Sequence, residues 1–115
     1  MISLPWPPSV NRYWRSAMGR VLISAEGRKY RAHVARWCLL GGVQKADKRL
    51  RVSIVAHAPD KRRRDLDNLL KAPLDALTYA GVWEDDSQIS DLRIMWGEPS
   101  KPGRLEITIT EMDKK

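Results

Sequence analysis

Leu50-Arg51-Val52-Ser53-Ile54-Val55-Ala56-His57-Ala58, closed by Pro59, is the stretch that decides the fold. Val52, Ile54, Ala56 and Ala58 alternate with Arg51, Ser53, Val55 and His57, giving one clearly apolar face at the two-residue period of a strand. Downstream, Asn68 to Tyr79 reads as a helix with Leu69, Leu70, Leu74 and Leu77 apolar, closed by Ala80-Gly81. Pro73 lacks the N–H that a helix interior needs. Either the helix kinks there, or it begins late enough to hold Pro73 in its first turn. Ile89–Trp96 and Arg104–Thr110 read as two further strands joined through the Gly97–Gly103 loop. The second alternates Leu105, Ile107 and Ile109 against Glu106, Thr108 and Thr110.

Upstream, Ser24 is a helix N-cap, with Gly27 a blemish in the first turn. The helix runs to about Leu40, places Tyr30, Val34, Trp37 and Cys38 on one face, and stops at Gly41-Gly42. Trp37 is expected in the core. Tyr13–Arg15 and Arg20–Ile23 flank Met18-Gly19 as a hairpin or loop. Ile2–Leu4 forms a short strand before Pro5, and Trp6-Pro7-Pro8-Ser9 must be extended or turned. The order strand, hairpin, helix, strand, helix, strand, strand predicts an α/β (α+β) fold. It is a mixed sheet with two main helices packed on it, whose strand order stays open. Without repeat, linker or low-complexity tract, the 115 residues suit one domain spanning 1–115.

Charge narrows the function. The formal net charge is +7 and the sequence pI about 9.9, a surface that attracts polyanions such as nucleic acid. An anionic membrane is the weaker partner, because no apolar run approaches the ~20 residues that span a bilayer. The N-terminus lacks a signal-peptide layout, so the expected location is the cytoplasm. Cys38 is alone, so no intrachain disulfide can form. His33 and His57 lack zinc-site spacing and read as structural. No phosphate-binding glycine loop appears, so no nucleotide cofactor is expected.

The chemistry concentrates in Asp60-Lys61-Arg62-Arg63-Arg64-Asp65-Leu66-Asp67-Asn68-Leu69-Leu70-Lys71. In extended backbone Asp65 and Asp67 point to one side and can converge on one cation. A helix including both positions would set Asp67 and Lys71 one turn apart. A second acidic group, Glu84-Asp85-Asp86 with Asp91, has no base within it. Such carboxylates repel one another, and a divalent cation relieves them. Mg²⁺ takes one or two carboxylates plus water and phosphate oxygens, which is what phosphodiester hydrolysis requires. Basic residues alongside hold the polyanion. A plainer reading stands beside this one. Asp67 is then a helix N-cap, Lys61–Arg64 a solvated loop, and Lys71 the partner of Asp67 or Asp75. Glu84 and Asp85 suit turn positions better than ligand positions, and spacing alone does not separate Asp85 from Asp86. Trp6 and Trp14, beside prolines and arginines, could stack on unpaired bases or anchor the core or a dimer; Trp83 packs beneath the acidic group.

The run Arg62–Ala72, continuing through Asp75-Ala76-Leu77 and Ala80–Ile89, closely resembles the RusA family of Holliday junction resolvases. Leu4–Ser9 with Asn11-Arg12-Tyr13, Ser24–Gly27, Gly103–Glu106 and Thr108–Glu111 resemble it too, so the similarity spans nearly the whole chain. The resemblance implies a Mg²⁺-dependent homodimer, often of prophage origin, that nicks four-way junctions, with Mn²⁺ a candidate substitute. It implies Asp65, Asp67 and Asp86 as metal carboxylates, Lys71 as a catalytic lysine, and cutting beside a CC dinucleotide. Lys61, Arg62, Arg63, Arg64 and Lys71 are the expected DNA contacts. Pro73 stands where many relatives carry other small residues. Two rival readings are a catalytically silent nucleic-acid-binding module and a less specific structure-selective endonuclease.

Overall fold

The computed structural model describes residues 2–112. Four strands form the main sheet: β1 (Ile2–Pro5), β4 (Leu50–His57), β5 (Ile89–Trp96) and β6 (Arg104–Glu111), in the order β1-β6-β4-β5. β4 pairs antiparallel with β6 and parallel with β5, so the sheet is mixed, and β1 closes the far edge antiparallel to β6. Register sets Ile54 opposite Ile107 on one side and Ile94 on the other. Leu50, Val52, Ile54 and Ala56 are all buried, as the alternation required.

The parallel β4–β5 pair needs a crossover, and helix α3 (Lys71–Tyr79) supplies it. Pro73 is its third residue, so the late-start alternative is the one realised, and the missing N–H falls where no helical bond is made. Leu66–Leu69, expected as helix or extended chain, form a separate 3₁₀ turn before it. Helix α2 (Ala25–Leu40) packs against α3. Its buried stripe is Gly27, Tyr30, Val34 and Cys38.

Trp37 corrects the expectation of a core tryptophan, being 47% exposed. It lies roughly 100° around the helix from Cys38, at the margin of the stripe. Gly27 is no blemish. A β-carbon there would lie 2.5 Å from the Tyr13 carbonyl oxygen and 2.7 Å from Ile23 Cγ1, so only glycine lets α2 begin so close to the preceding segment. The cap forms as expected, Ser24 Oγ accepting the Gly27 N–H at 2.9 Å. Val10–Tyr13 make a short helical turn, α1, so the hairpin begins at Trp14 rather than Tyr13. Its strands, β2 (Trp14–Ala17) and β3 (Arg20–Ile23), form a sheet of their own.

One core joins the layers through Leu4, Tyr13, Val34, Val52, Ile54, Leu77, Trp83, Leu105 and Ile107. Thr108 and Thr110, on the other face of β6, are exposed.

Candidate active site

The two acidic segments flank α3. Asp65 is extended (φ −93°, ψ 134°) and leads into the 3₁₀ turn that contains Asp67. Lys71 opens α3, and Asp86 opens a second 3₁₀ turn (Asp86–Gln88) that feeds β5. α3 packs against both turns.

That second turn stands on a fixed base. Trp83 is 1% exposed, and its indole N–H donates to Thr78 Oγ1 at 2.6 Å. Gln88 Nε2 donates to the carbonyls of Ala46 (3.1 Å) and Lys48 (2.9 Å). Its Oε1 accepts the backbone N–H groups of Glu84 and Asp85. The carboxylate of Asp85 accepts the Ser87 N–H at 3.0 Å and closes a capping box. These bonds hold its pKa below the usual carboxylate value.

Bonding sorts the acids. Asp60 pairs with Arg62 and Arg64, and Asp91 with Arg51 and Arg93. Asp75 accepts from Arg31 Nε and Nη2 and from the Tyr13 hydroxyl. Burial and Asp75 together push the Tyr13 hydroxyl well above its usual pKa, so it stays a donor. Glu84 pairs with Lys45 at 3.4 Å. The carboxylates of Asp65, Asp67 and Asp86 make no hydrogen bond or ion pair among the described residues, and all three residues are exposed. Neither Asp65 nor Asp67 acts as a side-chain cap: the 3₁₀ turn and α3 both start without one. Lys71 likewise has no ion-pair partner among the described residues, because Asp75 is taken by Arg31.

Lys71, Asp85 and Asp86 line one cleft along α3, with Trp14, Leu74, Asp75 and Thr78. Asp65 and Asp67 precede this cleft in the chain and do not line it. Among the described residues no three His, Cys, Asp or Glu side chains are gathered into a ready-made ligand set. The donor set still suits a hard cation, which completes its shell with water and phosphate oxygens around one or two carboxylates.

The basic loop is partly structural. Arg64 is tied to Asp60 at 2.9 Å and lies over the Trp6 ring, 5.7 Å from its centroid. Lys61 and Arg63 are exposed and make no ion pair among the described residues, which leaves them available to phosphate. A cleft beside Trp6 brings Arg12, Lys29, His33, Arg62 and Arg64 together. Lys29 and His33 join this basic cleft although the sequence reading did not single them out for it. Their i, i+4 spacing on α2, continued by Arg36, was the available signal. Trp14 packs edge-on against Tyr13 (5.1 Å, 81°) and also faces the Lys71 cleft.

The family profile described as Endodeoxyribonuclease RusA matches residues 5–110. The chain belongs to the RusA family. It is 53% identical over 113 residues to the crossover junction endodeoxyribonuclease rusA of Enterobacteria phage 82, covering 96% of this chain and 93% of that protein. It is 52% identical over 115 residues, with the same coverage, to the crossover junction endodeoxyribonuclease RusA of Escherichia coli strain K12 and to that of Shigella sonnei strain Ss046. Membership of the RusA family agrees with the resemblance read from Arg62–Ile89, and the match reaches across β1 to β6.

Proposed function

We infer that this chain is a crossover junction endodeoxyribonuclease that resolves four-way DNA junctions by metal-assisted phosphodiester hydrolysis. The observation that carries the catalytic reading is the bonding of the acids. The other acidic residues from Asp60 to Asp91 are held by basic side chains or a turn, whereas Asp65, Asp67 and Asp86 keep their carboxylates unpaired among the described residues.

Those three carboxylates are the residues that would hold Mg²⁺, with Mn²⁺ as a substitute. When bound, the cation would supply positive charge at the scissile phosphate. Lys71, unpaired at the start of α3, would set its ammonium against a non-bridging phosphoryl oxygen and offset the charge that grows there. Asp75 would act by position, fixing α3 to α2 through Arg31. Lys61, Arg62 and Arg63 would contact the backbone, with Arg64 holding their loop in shape. The proposed active form is a homodimer, because a two-fold junction offers two equivalent strands and one domain carries one acidic site. Cutting beside a CC dinucleotide belongs to the same proposal. No helix among the described residues is long and apolar enough to cross a membrane.

One observation favours a catalytically silent binding module: the absence, among the described residues, of a preassembled three-residue ligand set. Labelled four-way junction, linear duplex and flap DNA, each incubated with the protein and Mg²⁺, separate the readings. The resolvase cuts the junction in preference. A general endonuclease cuts all three, and a silent module binds without cutting.

A further inference from the structure

Five tryptophans are present, and they differ sharply in what they touch. Trp83 is core; Trp6 and Trp14 pack against the core. Trp37 and Trp96 do neither; Trp96 ends the edge strand β5, stays 41% exposed and lies outside the core cluster and the partly buried side chains packed on it. Its surroundings are basic. Trp96 shares a cleft with Lys61, Arg62, Arg63, Arg64, Pro99 and one acid, Asp60, which pairs with Arg62 and Arg64 and leaves Lys61 and Arg63 without an ion pair among the described residues.

The strand end that presents this ring is firmly held. The Gly97 N–H donates to the Ala56 carbonyl at 2.9 Å, and His57 Nδ1 donates to the Glu98 carbonyl at 2.7 Å. A β-carbon at Gly97 would lie 2.5 Å from His57 Cε1, so the backbone after Trp96 sits directly on the His57 ring. An exposed indole on a held strand end, beside Lys61 and Arg63 and against the loop that runs into Asp65, is costly for a core and useful for a ligand with a flat face and negative charge.

We propose that Trp96 is a stacking platform for a nucleobase exposed at the branch point of a DNA junction, with Lys61 and Arg63 holding the flanking phosphates. In continuous duplex each base is covered on both faces. At a branch point the terminal pairs present a bare face, and an aromatic side chain covers it at a gain large enough to matter. Charge then gives affinity for any DNA, and Trp96 adds preference for branched DNA. The proposal rests on the resolvase reading above.

The test compares the wild type with Trp96→Ala and Trp96→Phe. It measures binding, without divalent cation, to a four-way junction and to linear duplex of the same sequence, with sedimentation of each protein alongside. Trp96→Ala is expected to weaken junction binding roughly 5- to 150-fold. Duplex affinity, the log–log salt slope and the association state stay unchanged, because no phosphate contact is lost. Trp96→Phe recovers most of the loss. An equal loss on junction and duplex, no loss on the junction, or dissociation of the oligomer in Trp96→Ala overturns the proposal, the last by assigning the ring to a second copy of the chain. A wild type that binds junction and duplex alike is recognisable before any variant is made, and defeats the resolvase reading and this proposal with it.

Discussion

Asp85 and Asp86 are adjacent and bonded in opposite ways: the Asp85 carboxylate accepts the Ser87 N–H at 3.0 Å, while that of Asp86 has no partner among the described residues. The two acids therefore have separable tasks. Asp85→Ala removes a cap and is expected to lower the unfolding midpoint, with junction cutting kept. Asp86→Asn is expected to leave the unfolding midpoint near wild type and abolish cutting. Urea unfolding and cleavage on the same preparations decide the matter. An inactive, stably folded Asp85→Ala beside an active Asp86→Asn would reverse the assignment.

Asp65→Asn and Asp67→Asn are each expected to stop cleavage while junction binding stays the same or tightens, because the amide keeps the size and removes a charge that repels phosphate. Gel shift and cleavage are read on the same protein. Loss of binding together with loss of folding would return both residues to a structural role.

For Lys71 the position at the head of α3, with Asp75 committed to Arg31, removes the ion pair that a purely structural lysine would make. Lys71→Ala is expected to lower the single-turnover cleavage rate ~10²–10³-fold at saturating enzyme. Lys71→Arg should rescue it only in part, since the guanidinium keeps the charge but changes its shape and reach. A folded Lys71→Ala protein that cuts at the wild-type rate would remove Lys71 from the site.

Acid should destabilise the fold before it touches the core. Arg93 and Arg51 hold the Asp91 carboxyl below its usual pKa, and Arg104 with His57 does the same to Glu106. A carboxylate depressed in the folded state stabilises it above the unfolded values of roughly 3.9–4.3, and that contribution is lost as pH falls through the lower folded values. The urea midpoint should hold from pH 7 to 5 and fall towards pH 3, less steeply in Asp91→Asn. A midpoint flat to pH 3 would show that these pairs contribute nothing.

Periodicity carried the regular elements. Leu50–Ala58 alternates strictly, and β4 buries the side the alternation named. Ser24, Gly41-Gly42 and Gly81 mark ends that local chemistry alone determines. What failed was governed by tertiary contact. Trp37 is apolar and near the right helical angle, but at the margin where it sits the fold leaves it 47% exposed. Gly27 is unfavourable by helix propensity and required by the Tyr13 carbonyl that lies against it. Strand order depends on pairing between β4 and two strands distant in sequence, which no local pattern encodes. At the site, the segments Asp65–Lys71 and Glu84–Asp86 were legible as charge anomalies. The distinction between Asp85 and Asp86 was not, because it depends on where Gln88 and Ser87 place their bonds. The setting of Trp96 is not legible in sequence either, because its neighbours, Lys61–Arg64, lie on a different loop.

The most direct test of the account is strand-specific nicking of a four-way junction, labelled on each of two opposing strands, in excess chelator and again after Mg²⁺ is restored. No cutting is expected on either strand under chelation, and symmetric paired nicks on both when Mg²⁺ returns. Undiminished cutting in chelator would contradict the metal site at Asp65, Asp67 and Asp86, and Mg²⁺-dependent nicks confined to one strand would contradict paired resolution.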